Sequence, residues 1–160
     1  MKQLTIISQV LVALILIPLS ALAQQQVPFG SEVSDKVFHY HRHTPYIATS
    51  GNLADGAMAE LADHGFKTII DFRTEMEGID KDQGDAANSG IRYLSMPVGR
   101  AFPDAAFFER FTAEVENSEQ YPMLLRCASA NRVAMVWAAY QLQQGVSSVS
   151  YTHLTLPTSP

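Results

Sequence analysis

A chain of 160 residues has room for one domain with a buried core and too little for two, and its 47% apolar and 17% charged residues are ordinary for a globular protein. The net charge of −5 argues against non-specific nucleic-acid binding, which needs a basic footprint to displace phosphate counterions.

Read in chain order, the first segment is a targeting signal. Lys2 supplies a positive start, Val10 to Ile17 is continuously apolar, Pro18 breaks the run, and Ala21-Leu22-Ala23 offers small residues for cleavage before Gln24. The apolar run is short for a membrane span. Residues 1–23 therefore read as a secretory signal peptide cut after Ala23, which predicts a periplasmic or secreted protein with no membrane attachment after cleavage. Loss of Lys2 with this leader takes the net charge from −5 to −6.

Residues 24–36 read as a flexible leader to a domain spanning 37–147. Val37 to Ala48 is rich in aromatic and β-branched residues and is expected to be extended, with Pro45 limiting any strand there. Ser50-Gly51-Asn52 is expected to open a helix carrying Leu53, Ala57 and Leu61, closed at His64-Gly65 by a glycine in the left-handed stop position. Phe66 to Phe72 is a buried strand by its apolar run, and a polar stretch follows from Arg73 to Asp85. Ala86, Ala87 and Gly90 suggest a short helix. Ile91 to Val98 is a second strand, and Pro103-Asp104 starts a helix whose Phe107, Phe108, Phe111 and Val115 form one stripe. Tyr121 to Arg126 is a third strand, and Val133 to Gln144 a helix stopped by Gly145. Strands alternating with helices imply an α/β fold: a single three-layer domain with a mostly parallel sheet flanked by helices. Ligands in such sheets bind beyond the carboxyl ends of the strands. From Ser148 the sequence SVSYTHLTLPTSP has neither charge nor helical period. It is similar to translated sequencing-adapter tails, so residues 148–160 read as a non-native tail and the domain as truncated at its carboxyl end.

Cys127 is the single cysteine of the chain. In an oxidising compartment a lone thiol is reactive, pairs between molecules, or is buried without a role. Its neighbours favour reactivity. A buried strand ends at Arg126, a short turn of small residues follows (Ala128, Ser129, Ala130), and a helix begins near Asn131. Loop amides that converge at a helix amino terminus bind an anion and lower a thiol pKa. Arg132 closes the turn, and its planar guanidinium can take two oxygens of a tetrahedral oxyanion. A nucleophile beneath an anion clamp suits attack on phosphorus or sulfur.

Cys127 and Arg132 around a strand, loop and helix resemble the signature loop of the cysteine phosphatases and of the rhodaneses. More closely, the chain resembles the bacterial phosphatase-like domain family known from the beta-lactamase hydrolase-like proteins, within the cysteine-dependent tyrosine and dual-specificity phosphatase superfamily. The resemblance runs from Tyr46 to Gly145 through YIATSGNL, AELADHGFKTIIDFRTEMEG, IRYLSMPV and LLRCASANRVAMVWAAY. It implies a cysteine-phosphatase-like fold, with Cys127 and Arg132 catalytic and Ala128, Ser129, Ala130 and Asn131 forming the substrate loop. Tyrosine phosphatases place one more residue between Cys and Arg than the four here, and rhodaneses share the shorter loop. Arg126 stands where a phosphatase has His. Ala130 stands where this family often has Gly, so a positive φ there would strain its Cβ. The general-acid position of dual-specificity phosphatases falls near Arg100. Asp104 is the nearest carboxylate and the candidate acid, although it also reads as the cap of the next helix. Arg73 matches an arginine common in the family, where it contacts substrate or braces the loop through Glu75 or Glu77.

His39, His41 and His43 alternate and would share one face of an extended strand, a spacing able to bind zinc or copper. No fourth ligand is evident, so they are read as structural or solvent-facing, and no metal or organic cofactor is implied. The expected activity is an exported phosphatase-like hydrolase acting on a phosphate ester or other oxyanion substrate. A rhodanese-like sulfurtransferase carrying a persulfide on Cys127 and a non-catalytic anion-binding module are the alternatives.

Overall fold

The apolar runs assemble into a five-stranded sheet in the computed structural model, which describes residues 24–146. The segment read as a signal peptide, 1–23, and the stretch read as a non-native tail, 148–160, lie outside the described residues. β1 (His41–Arg42) pairs antiparallel with β2 (Ile47–Ser50). β2 then runs parallel to the central β5 (Met123–Arg126), which lies beside β3 (Thr68–Asp71), with β4 (Arg92–Ser95) at the edge. The order is β1-β2-β5-β3-β4. Ser50 and Asp71 are both in register with Arg126, so three strands end level with the start of the cysteine loop.

The pleat of β5 divides the core into two layers. Met123, Leu125 and Cys127 face α3 (Ala105–Val115) and α4 (Asn131–Gln143), while Leu124 faces α1 (Ala57–Asp63) and α2 (Asp80–Asn88). The stripe expected on α3 is real: Phe108, Phe111 and Val115 are buried. Phe111 lies with its ring centroid 5.7 Å from those of Phe72 and Tyr140. Two helices on each face of a mostly parallel sheet make this the three-layer α/β domain that the alternating pattern predicts. Among the described residues, no helix is long and apolar enough to cross a membrane.

Three local readings need correction. The first helix does not open at Ser50, which ends β2; it begins at Ala57, with Gly56 at its cap, and Leu53 instead bridges Val37. The extended stretch from Val37 to Ala48 is divided by a turn, in which Thr44 Oγ1 accepts the Ile47 amide at 3.0 Å, and its halves pair with each other. α2 reaches back to Asp80, into the stretch read as polar loop; it buries Ala86 and carries no apolar stripe by which the sequence would reveal it. The stop at Gly65 is as expected, with φ +79°. Residues 24–36 make specific contacts: the Val27 amide donates to the Pro45 carbonyl at 2.8 Å, and Ser34 bonds Glu60 through its amide and its hydroxyl.

Candidate active site

The loop after β5 is built by close approach. Cys127 follows the last residue of β5 and donates its amide to the Ser50 carbonyl at 3.3 Å, while the Ala128 carbonyl accepts the Asn52 amide at 3.0 Å. Gly51 makes this possible, because a Cβ there would lie 3.1 Å from the Ala128 carbonyl oxygen and 3.2 Å from His39 Cδ2. Ala130 caps α4 with φ +64° and ψ −9°, the left-handed conformation foreseen for that position. α4 closes its first turn with the Ala134 amide on the Ala130 carbonyl at 2.9 Å. Amides earlier in a helix have no carbonyl within the helix to bond. The positive end of the helix dipole thus follows Cys127 in the chain after only Ala128, Ser129 and Ala130. Ala128 and Ala130 are half-buried, Ser129 and Asn131 exposed, and Cys127 is fully covered.

Arg132 is fixed on three sides. Its Nη1 donates to the Phe72 carbonyl at 3.1 Å, the Val98 carbonyl at 3.2 Å and Glu77 Oε2 at 2.8 Å, and its Nη2 donates to Glu77 Oε1. Glu77 Oε2 also accepts the Thr74 amide at 2.9 Å and the Thr74 hydroxyl at 3.0 Å. The hydrogen bond from Arg132 is the largest influence holding the Glu77 carboxyl down at about 2, so the pair stays ionised through ordinary pH. Glu77, and after it the Cys127 sulfur, hold the Arg132 pKa above its usual value. Glu77 grips the Nη1–Nη2 end of the fork, so an oxyanion would approach along the Nε side or displace the carboxylate.

Arg73 meets aspartates rather than the glutamates anticipated for a bracing role. It is buried, and its Nε and Nη2 bond Asp71 Oδ2 at 3.0 and 2.8 Å, with a further bond from Nη2 to Asp82. Glu77, one of the two partners anticipated, serves Arg132 instead. Asp104 Oδ1 accepts the Phe107 amide at 2.9 Å and so caps α3. The three histidines do not share a strand face, because His39 has φ +54° and lies before β1. His41 and His43 meet edge to face with centroids 4.5 Å apart, and His43 Nε2 is 3.1 Å from Thr49 Oγ1. Among the described residues no group of three His, Cys, Asp or Glu side chains is placed to hold a metal ion.

Two participants escaped the sequence reading. His39 lies against Gly51, its Cδ2 3.2 Å from where a Cβ would stand, and its one sequence signal is its place in the alternating histidines. Glu77 was weighed only as a partner of Arg73, since a carboxylate several residues after a strand carries no mark of which arginine it will meet.

Comparison with known proteins agrees with this geometry. The family model for the beta-lactamase hydrolase-like protein, phosphatase-like domain, matches residues 39–144. A candidate phosphatase (DUF442) from Shewanella putrefaciens CN-32 superposes with a TM-score of 0.64 at 20% identity, over 76% of this chain and 78% of that one. The core catalytic domain of the PP-IP phosphatase SIW14 from S. cerevisiae, in complex with citrate, gives 0.62 at 15% identity over 76% and 78%. TpbA from P. aeruginosa, in complex with pTyr, gives 0.60 at 18% identity over 74% and 73%. No curated protein sequence matches the chain significantly. The departures at the loop thus leave the assignment intact: the chain belongs to the family of the phosphatase-like domain of beta-lactamase hydrolase-like proteins.

Proposed function

We propose that this chain is an exported hydrolase of phosphate monoesters that uses Cys127 as nucleophile and Arg132, with the loop amides, as the oxyanion clamp. The observation that carries this reading is the burial of Cys127 where β5 enters the loop leading to α4, with Arg132 in the first turn of that helix already fixed by Glu77, Phe72 and Val98. A preset guanidinium next to the thiolate supplies the preorganised charge that phosphoryl transfer requires. The Cys127 thiolate attacks phosphorus, the P–O ester bond breaks, and the leaving oxygen departs as an oxyanion that takes its proton from solvent water. Water then attacks the phosphocysteine, the S–P bond breaks, and inorganic phosphate leaves with regeneration of the thiolate. Cys127 is covered in the unliganded loop, so the oxyanion must part the amides and Arg132 as it enters.

Ala128, Ser129, Ala130 and Asn131 are assigned to the substrate through their backbone, since two of the four side chains are methyl groups. Arg73 supports the loop and does not meet substrate, given its burial among carboxylates. Asp104 is assigned to the cap. A capping carboxylate works ionised, whereas a proton donor must carry the proton, and phenolate-type leaving groups depart without one. Export follows from the amino-terminal leader read in the sequence. The sulfurtransferase and the inert anion module are not favoured, because the family match is to a phosphatase-like domain.

The test is phosphate release from an aryl phosphate by protein beginning at Gln24, with thiocyanate formation from thiosulfate and cyanide run alongside. Phosphate release that vanishes in Cys127→Ser supports the proposal. Thiocyanate formation without phosphate release overturns it in favour of the sulfurtransferase.

A further inference from the structure

Arg126 is the largest fully buried side chain among the described residues. Its Nη1 donates to Asp82 Oδ2 at 2.7 Å, and its Nε lies 3.6 Å from Asp71 Oδ2. Nε and Nη2 have no hydrogen-bond partner among the described residues. Buried ion pairs of this kind seldom out-stabilise apolar residues of the same volume, and donors left without acceptors weigh further against them.

The arrangement around Arg126 points to position rather than stability. Asp82 accepts from Arg126 and from Arg73, and Arg73 in turn clasps Asp71, which also accepts the Tyr93 hydroxyl. The segment from Asp71 to Asp82 is thereby tied at both ends to the residue that precedes Cys127. The middle of the same segment carries Glu77, which is tied to Arg132 at the far end of the cysteine loop. One stretch of chain thus bridges the two arginines that flank the loop. The two arginines and two aspartates of the buried cluster cancel in formal charge. Removing Arg126 would leave two carboxylates to Arg73 alone, so the segment would have to shift to relieve the excess negative charge.

We propose that Arg126 is a positioning residue for the oxyanion clamp: through Asp82 it fixes the Asp71–Asp82 segment, and that segment's Glu77 sets Arg132. This inference rests on the phosphatase reading of the loop. It locates, in the residue before the cysteine, the device that holds the clamp at its working angle.

The experiment is a double-mutant cycle read by tungstate affinity in calorimetry and by kcat and KM for para-nitrophenyl phosphate, on Arg126→Met, Glu77→Gln and the pair together. Arg126→Met is expected to weaken tungstate about tenfold, a size within the coupling shown by residues of one hydrogen-bonded network, and to add little once Glu77 is already Gln. Asp82→Asn keeps the side chain's shape and is expected to show the same loss, so the reading survives if Arg126→Met fails to fold. Wild-type tungstate affinity in folded Arg126→Met or in Asp82→Asn would overturn the inference. So would losses that multiply in the double variant, since Arg126 would then act by another route. Wild-type protein that neither binds tungstate nor turns over would instead sink the phosphatase reading itself, and this inference with it.

Discussion

Replacing Ala130 by glycine should stabilise this protein, against the usual effect of glycine at the edge of a helix. Ala130 is held at φ +64°, in the left-handed region. That conformation costs an L-residue with a Cβ roughly 1–2 kcal/mol. Glycine removes the penalty but frees the unfolded chain, which returns about 0.4–1 kcal/mol. The balance is a gain centred on ~0.8 kcal/mol, within a span from about zero to ~1.6, or about 3 °C in melting temperature for a domain of this size. Thermal unfolding followed by circular dichroism, with urea titration beside it, reads the change. Gly65→Ala is the internal control of opposite sign: it places a Cβ at φ +79°, 2.4 Å from the Gln25 side chain, and should destabilise. A melting point lower in Ala130→Gly than in wild type would refute the claim that this cap is strained.

Other expectations follow from single contacts. Phe111→Ala empties the site between Phe72, Phe107 and Tyr140 and should cost about 3–5 kcal/mol in urea unfolding, whereas a loss under ~1 kcal/mol would mean that α3 packs loosely. Asp104→Asn keeps the cap and should leave stability and aryl phosphate turnover within about threefold of wild type; a rate loss of ~100-fold or more would make Asp104 the general acid. Burial, and after it the nearby His41, lower the His43 pKa to about 4, below the 6.5 of the unfolded chain. The folded state therefore resists a proton that the unfolded state accepts. Stability from this site is complete above 6.5 and declines as pH falls from 6.5 to 4. His43→Gln should flatten that part of the pH–stability curve, and an unchanged slope would place the loss elsewhere.

The strands of the central sheet were legible because FKTIIDF, IRYLSMPV and YPMLLR are short apolar runs bounded by polar turns, and α3 because its phenylalanines recur at helical spacing. α2 was shortened because Asp80, Lys81, Asp82 and Asp85 offer no apolar period, its helix being held by Ala86 and the buried Ile79 before it. Ser50-Gly51-Asn52 carries the composition of a helix start. Gly51 is in fact needed for the close approach of the Ala128 carbonyl, a tertiary contact invisible in the local sequence. The Cys127–Arg132 loop was recoverable from residue type and spacing. The bridge formed by Asp71, Arg73, Glu77, Asp82 and Arg126 was not, because which carboxylate meets which arginine depends on strand order, and nothing local sets β5 between β2 and β3.

The most direct test of the account is to trap the phosphoryl enzyme. Protein from Gln24 onward is mixed with a labelled aryl phosphate, quenched during turnover, digested, and the label located by mass spectrometry. The account predicts label on the peptide containing Cys127, absent in Cys127→Ser and discharged by water in step with phosphate release. Turnover with no label on that peptide, or the same phosphate release from Cys127→Ser, would contradict it.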